Sequence, residues 1–461
     1  MKVFLVGIGG VGMSSIAGLF YQNGYKIYGS DTNYYPPVDK ILKKMNAKIF
    51  NSYDEKNIPD DIDFCVIGNI VSRGNPEAEY ILNTNIEYYS MAEALYKFFI
   101  KGRRSVVVAG THGKTTISSF ISHLFDYAGL KPGFFIGGKP LNFESNCSVG
   151  SGGYFVVEGD EYETSFFDRS SKFLKYHPFY LILTSLEYDH IDFFPDEGSY
   201  IKSFKNLVNQ VPSHGIIIMN GDFEMNNKVV EKSFTPVITY GSKNADYLIK
   251  NIELKNNQYQ FVLENRSNEM KFRTSLLGKY NIWNLSSGIT LGLHLGIQEK
   301  VIREAVETFK GVDRRLRIIN KVKNTLFLED FAHHPTSIKN SLESLKELYP
   351  EKQIICLFEP RSWSLRRNFF QDRLVDSFLD SDELIIKDVY NKEKIPINER
   401  LDVKKIKCEL EKTGKRVLIF DNYGEFKEFL LEIDLEKDNL IVIISNGSFE
   451  GLVPFVKELK A

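Results

Sequence analysis

A seven-residue run, Gly110-Thr111-His112-Gly113-Lys114-Thr115-Thr116, constrains this chain more than any other feature. It follows an apolar, β-branched stretch from Ser105 to Ala109 and precedes a helical pattern that continues to about Tyr127. Strand, glycine turn and helix in that order make a phosphate cradle. Small residues let backbone N–H groups point at the ligand, Lys114 can reach the β- and γ-phosphates, and the Thr115 hydroxyl can ligate Mg²⁺. The usual GxxxxGK[ST] spacing would put glycine at 108, where Val108 stands, so this is a shorter form of the loop. A phosphate loop of this kind implies a parallel sheet covered by helices.

The same strand–turn–helix order opens the chain. Val3 to Val6 runs into Gly7-Ile8-Gly9-Gly10-Val11-Gly12 and a helix through Phe20, followed by strands at Lys26 to Tyr28 and Phe64 to Ile67. The glycines admit a diphosphate. Asp31, 19 residues past Gly12 at the end of the next strand, can accept from a sugar hydroxyl. A dinucleotide and a nucleotide sugar carry the same diphosphate and fit equally well. A basic link, Lys101-Gly102-Arg103-Arg104, ends this first domain, 1–102.

A central domain, 103–311, has further strands at Tyr154 to Val157, Tyr180 to Thr184 and Ile216 to Met219. An alternating stretch from about Asp246 to Thr274 reads as a small antiparallel addition, before helices Ile282 to His294 and Glu299 to Phe309. A third domain, 312–461, has strands near Leu326 to Leu328, Gln353 to Phe358, Glu383 to Ile386, Arg416 to Phe420 and Leu440 to Ile444. At about 150 residues per domain, a chain of 461 residues has room for three.

Metal-bound ATP needs oxygen ligands beyond the loop threonine. Carboxylates just past a strand's end project toward the ligand crevice of an open sheet, and Val157-Glu158-Gly159-Asp160-Glu161 ends one such strand. The next runs on to Glu187-Tyr188-Asp189-His190, where His190 is a candidate nitrogen ligand or acid–base group. In the third domain, Glu329-Asp330-Phe331-Ala332-His333-His334-Pro335-Thr336 spans a strand-to-helix junction, with Pro335 suited to the first helical turn. Adjacent histidines cannot both face one metal from a helix, so Asp330 reads as a nucleotide contact and His333 and His334 as loop organisers or substrate contacts. Arg314 and Arg315 can bring positive charge to the phosphates.

Composition narrows the partners. The 58 basic and 60 acidic side chains nearly cancel, without the basic excess of a general nucleic-acid or membrane-surface binder. Four well-separated cysteines, Cys65, Cys147, Cys356 and Cys408, form no CxxC pair and read as buried free thiols. No secretion signal or long apolar run is evident, so a cytoplasmic protein is expected.

The ordered set resembles the Mur ligases, the ATP-dependent amide-forming enzymes of peptidoglycan synthesis. It includes the GIGGVGM turn, GTHGKTT, the EGDE and EYDH strand ends, Gly278 with Asn281 and Asn284, GVDRR and DFAHHPT, and spans essentially the whole chain. Tyr280 stands where many relatives have a histidine. The resemblance implies three α/β domains: a Rossmann-like N-terminal domain, a central P-loop ATPase-type parallel sheet with its antiparallel addition, and a C-terminal Rossmann-like domain. These would bind a UDP-sugar, ATP and the incoming amine substrate in turn.

Two branches of the family share the GIGG-type opening, which implies UDP-N-acetylmuramate as acceptor. One attaches L-alanine and the other the tripeptide L-alanyl-γ-D-glutamyl-meso-diaminopimelate. Tyr35-Pro36-Pro37, Gly68-Asn69, Ser72-Arg73-Gly74-Asn75-Pro76, Asp160-Glu161-Tyr162, Phe358-Glu359-Pro360-Arg361-Ser362 and Ser445-Asn446-Gly447 resemble the tripeptide branch.

The implied catalytic residues are Lys114, Glu158 and His190, with Thr115, Glu158 and His190 holding two Mg²⁺ ions. ATP contacts are expected from 110–116, Asn281, Asn284, Arg315 and Asp330. UDP-sugar contacts fall to Gly7, Gly9, Gly10, Gly12, Ser30, Asp31 and Asn69, and peptide contacts to His333, His334 and Arg361. Lys205 has the spacing of a lysine that is carbamylated in several relatives, but its surroundings look more like the members lacking it. The competing readings are a nicotinamide-dependent oxidoreductase, which leaves GTHGKTT without a purpose, and a non-catalytic nucleotide switch.

Overall fold

β-Branched runs too short for helices form the buried middle of the sheets, as in Val106-Val107-Val108 and Ile216-Ile217-Ile218. The computed structural model describes residues 1–34, 38–189, 193–266 and 268–460. Tyr35-Pro36-Pro37 and His190 lie outside these.

The first sheet has five parallel strands in the spatial order Lys48–Phe50, Lys26–Ser30, Lys2–Val6, Phe64–Ile67, Tyr88–Ser90. Strand order reverses about Lys2–Val6, so the turn into helix Val11–Gln22 opens at the crevice of the sheet. In the ten-stranded central sheet, Arg104–Ala109 lies between Tyr180–Leu183 and Tyr154–Gly159, parallel to both. The phosphate loop, Glu158 and the segment after Leu183 therefore emerge at one edge. Tyr247–Lys255, Gln258–Asn265 and Asn268–Thr274 form the antiparallel addition. The third sheet runs Arg317–Val322, Thr325–Asp330, Asn439–Ile444, Gln353–Phe358, Glu383–Lys387, Arg416–Phe420, with only the first strand antiparallel.

Two kinds of interface join these units. The first and central units share one apolar cluster, in which Phe20 and Phe99 belong to the same core as Cys147 and Phe155. Asn146 adds a hydrogen bond from Nδ2 to Ser15 Oγ at 2.9 Å. The third unit has separate apolar clusters and meets the phosphate-loop edge through polar side chains. Cys65, Cys147 and Cys356 are buried as expected. Cys408 is exposed, a correction: it stands off the apolar face of helix Val403–Lys412 that Ile406 and Leu410 bury.

Candidate active site

The phosphate loop is shaped by two close approaches. Gly113, at φ +81° just before helix Lys114–Tyr127, leaves no room for a Cβ beside the Asn284 carboxamide, and Gly110, at φ +131°, none beside the Thr184 hydroxyl. Thr111 Oγ1 donates to the Glu187 carbonyl at 3.0 Å and accepts from the Glu187 N–H at 2.9 Å, which ties the loop to the next strand end. Lys114 Nζ donates to the Gly110 carbonyl and to Glu161, both at 2.8 Å. Burial alone would lower the Lys114 pKa, but Glu161, Asp160 and Glu158 outweigh it and the value is raised, so Lys114 stays a cation.

The hydroxyl after the lysine meets the strand-end carboxylate. Thr115 Oγ1 donates to Glu158 Oε2 at 3.2 Å, and the Gly137 N–H donates to Glu158 Oε1 at 2.8 Å. Burial, then Asp160, pushes the Glu158 carboxyl up to about 7. A buried carboxylate that repels its neighbour is relieved by a cation, and hard oxygens suit Mg²⁺, so Thr115 and Glu158 fit the expected ion.

A cavity of about 540 Å³ opens beyond this pair, between the central and third units. Gly113, Thr115 and Thr116 form one end; Trp283, Asn284 and Arg315 line its walls. Asn281 is buried behind Asn284, donating from Nδ2 to the Leu277 carbonyl at 2.7 Å and accepting from Asn284 Nδ2 at 2.8 Å. It therefore positions Asn284, which corrects its expected direct contact with the nucleotide. Asp330 needs a similar correction. Its Oδ1 accepts from the Ala332 N–H at 2.7 Å, and its Oδ2 from the Leu316 N–H at 3.2 Å and Ser341 Oγ at 3.1 Å, so the carboxylate buttresses the cavity wall. The arginine pair divides: Arg314 is bound to Glu329 at 2.6 Å and to the Ser445 carbonyl at 3.0 Å, while Arg315 faces the cavity.

The third unit is closed onto this edge. His112 Nδ1 lies 3.1 Å from Ser337 Oγ. Glu187 accepts from Thr336 Oγ1 at 2.9 Å and Arg373 at 3.0 Å, and Asp189 accepts from Ser364 Oγ at 3.1 Å. Burial would raise the Glu187 pKa, yet His112, His334 and Thr336 hold it well below the usual carboxylate range. His334 caps helix Pro335–Leu348 by accepting the Thr336 N–H, and its ring centroid is 4.8 Å from that of His112. His333 turns elsewhere, with Nδ1 3.0 Å from the Phe331 carbonyl. Glu161 and Glu187 are the functional carboxylates that the sequence reading left without a role. Their signal was position alone, each just past a strand that flanks the phosphate-loop strand.

At the other glycine turn, the Gly9 N–H donates to Asp31 Oδ2 at 2.9 Å, and Tyr53 OH donates to Asp31 Oδ1 at 3.4 Å. Ser30 is wholly buried against Glu77. Both residues hold the turn, a correction to their expected display toward a sugar, while Asn69 is exposed beyond Phe64–Ile67. Arg361 stands past the Gln353–Phe358 strand end, 3.4 Å from Glu359 and stacked on Tyr390.

Three family domains match in chain order: Mur ligase family, catalytic domain, over residues 2–102; Mur ligase middle domain, over 108–292; and Mur ligase, glutamate ligase domain, over 314–447. The chain belongs to the Mur ligase family, whose members are ATP-dependent ligases that form amide bonds. Among its relatives, the UDP-N-acetylmuramate–L-alanyl-γ-D-glutamyl-meso-2,6-diaminoheptandioate ligase of Escherichia coli is 34% identical over 389 residues, 84% of each chain. The UDP-N-acetylmuramate–L-alanine ligase of Clostridium acetobutylicum is 33% identical over 391 residues, 84% of this chain and 83% of that one. The crystal structure of a murein peptide ligase from Psychrobacter arcticus superposes with a TM-score of 0.74 at 28% identity, covering 99% of this chain and 98% of that one. The UDP-N-acetylmuramate-alanine ligase of Thermotoga maritima shares the fold, with a TM-score of 0.81 at 22% identity over 99% and 98% of the two chains.

Proposed function

We propose that this chain joins the lactyl carboxylate of UDP-N-acetylmuramate to the α-amine of L-alanyl-γ-D-glutamyl-meso-diaminopimelate, with ATP converted to ADP and phosphate. The observation that carries the reading is the pairing of Lys114–Glu161 with Thr115–Glu158 at the end of a cavity closed by the third unit. A carboxylate does not react with an amine at neutral pH. Its oxygen first attacks the γ-phosphorus of ATP and ADP leaves, giving an acyl phosphate. The peptide amine then attacks the acyl carbon, loses a proton, and phosphate departs from a tetrahedral intermediate.

Lys114 neutralises charge on the transferring phosphoryl group, exchanging its contact with Glu161 for phosphate oxygens. Thr115 and Glu158 would hold Mg²⁺, with His190 expected at a second ion; the metal supplies charge neutralisation between two anions. The glycine turn at Gly7–Gly12 takes the UDP diphosphate. Closure of the third unit, through Ser337, Thr336 and Ser364, excludes water that would hydrolyse an acyl phosphate. Such an enzyme acts in the cytoplasm, where its nucleotide substrates are.

The tripeptide is favoured over L-alanine by Asp160-Glu161-Tyr162, Glu359-Pro360-Arg361-Ser362 and Ser445-Asn446-Gly447, and by the likeness to the peptide-adding relatives. The test is phosphate release from ATP with UDP-N-acetylmuramate and each amine in turn. Release with the tripeptide and little with L-alanine is expected; release with L-alanine alone would assign the chain to the alanine-adding reaction.

A further inference from the structure

On the carboxyl edge of the third sheet, four cations gather round two aromatic rings. The Arg361 guanidinium lies 4.4 Å from the Tyr390 ring centroid, and Lys387 Nζ lies 5.9 Å from the same ring. Arg366 donates from Nη1 to the Tyr390 carbonyl at 3.2 Å. The Trp363 ring has Arg367 at 4.3 Å and Arg366 at 5.4 Å.

Three carboxylates answer these four charges. Glu359 lies 3.4 Å from Arg361 and 3.8 Å from Lys387, Glu450 lies 2.7 Å from Lys387, and Glu399 pairs with Arg367. Among the described residues Arg366 has no carboxylate at ion-pair distance, and its buried Nε has no hydrogen-bond partner. Leaving a buried N–H unpaired costs about 1–3 kcal/mol, more for a charged group, and crowding it with like charges adds to that. The loop is nevertheless pinned, with the Arg366 N–H donating to the Ser362 carbonyl at 3.1 Å and the Leu401 N–H to the Arg366 carbonyl at 3.0 Å. A cation held in place without a counter-charge is prepared for an anion from outside.

The position says which part of a substrate that anion belongs to. Ser364, two residues before Arg366, donates to Asp189 at the phosphate-loop edge. The loop 361–367 therefore runs from the reacting centre into the third unit, the path left for a peptide whose amine has been delivered to the acyl phosphate. The tripeptide carries carboxylates on its second and third residues, whereas L-alanine has its single carboxylate next to the amine.

We propose that Arg366, flanked by Arg361 and by the Trp363–Arg367 stack, forms a subsite for a carboxylate of the second or third peptide residue and so selects an acidic peptide over L-alanine. This rests on the tripeptide reading. A planar carboxylate can take two guanidinium N–H groups side by side, a match that an ammonium reproduces only as a point charge.

The test measures steady-state phosphate release by the full chain at saturating UDP-N-acetylmuramate and ATP, comparing wild type with Arg366→Gln and Arg366→Lys. Arg366→Gln is expected to raise the tripeptide KM about tenfold to a hundredfold, with the ATP KM unchanged. Arg366→Lys should recover part of the loss. Thermal melting should show both variants folded, because Arg366 has no partner carboxylate to lose. A tripeptide KM within about twofold of wild type in both variants overturns the subsite. Wild-type enzyme that uses L-alanine and ignores the tripeptide overturns the underlying reading instead, so the two failures are distinguishable.

Discussion

Two glycine turns, each leaving a parallel strand for a helix, are opposite in charge. At Gly7–Gly12 an internal carboxylate already accepts from the turn: the Gly9 N–H donates to Asp31. At Gly110–Thr116 an internal cation is kept ready, Lys114 resting on the wholly buried Glu161. The glycines make both turns open enough for a diphosphate, but the nearest charged side chain decides the use of each. A turn braced by its own aspartate recognises a ligand that is bound and not transformed, whereas a turn with a movable ammonium can follow a phosphoryl group as its charge shifts.

The largest expected effect follows from removing that ammonium. Lys114→Ala should cut tripeptide-dependent phosphate release by about a thousandfold or more, with UDP-N-acetylmuramate still binding by calorimetry. Near-normal turnover would erase the distinction between the turns. Glu158→Gln removes the anionic partner of Thr115, and a kcat lower by about a hundredfold with a raised Mg²⁺ requirement is expected in a metal titration. Asp31→Ala addresses the other turn. Its loss should raise the KM for UDP-N-acetylmuramate about fivefold through a looser turn while leaving kcat nearly constant. A large kcat effect there would mean that Asp31 takes part in chemistry.

The smallest effect concerns the link from the phosphate loop to the third unit, which the first turn lacks. Burial, then His112, pushes the His334 imidazole from 6.5 down to about 3. Below the unfolded value the unfolded chain takes up a proton that the folded one refuses, so stability falls as pH drops from about 6.5 toward 3. His334→Gln should flatten that part of the acid limb in thermal melts. An unchanged slope would remove His334 from the acid sensitivity of the fold.

Much of the fold was legible because its signals are local. The apolar runs, the glycine turns and Pro335 each act within a few residues, and they located the phosphate loop, the helix Lys114–Tyr127 and the strand ends carrying Glu158 and Asp330. The short strands Lys48–Phe50, Tyr88–Ser90 and Gly133–Phe135 were not read, because pairing with long neighbours holds them in place. In the site, residue types were legible and orientations were not. Ser30 and Asp31 follow a strand as a ligand contact should, yet Glu77 from a distant helix and Gly9 from the turn engage them. Asp330 was misread for the same reason: Ser341, one helical face away, closes its remaining lone pair. Contacts such as His112 with Ser337, made across the closed units, depend on how the third unit sits and leave no local pattern.

The most direct measurement of the central claim is a competition followed by mass spectrometry of the nucleotide product. The full chain is given ATP, Mg²⁺ and UDP-N-acetylmuramate with equal concentrations of L-alanine and L-alanyl-γ-D-glutamyl-meso-diaminopimelate. The account predicts a product with the mass of UDP-N-acetylmuramate plus the tripeptide less one water, formed in step with ADP. A product carrying alanine alone, or ADP formed without any amide product, would contradict it.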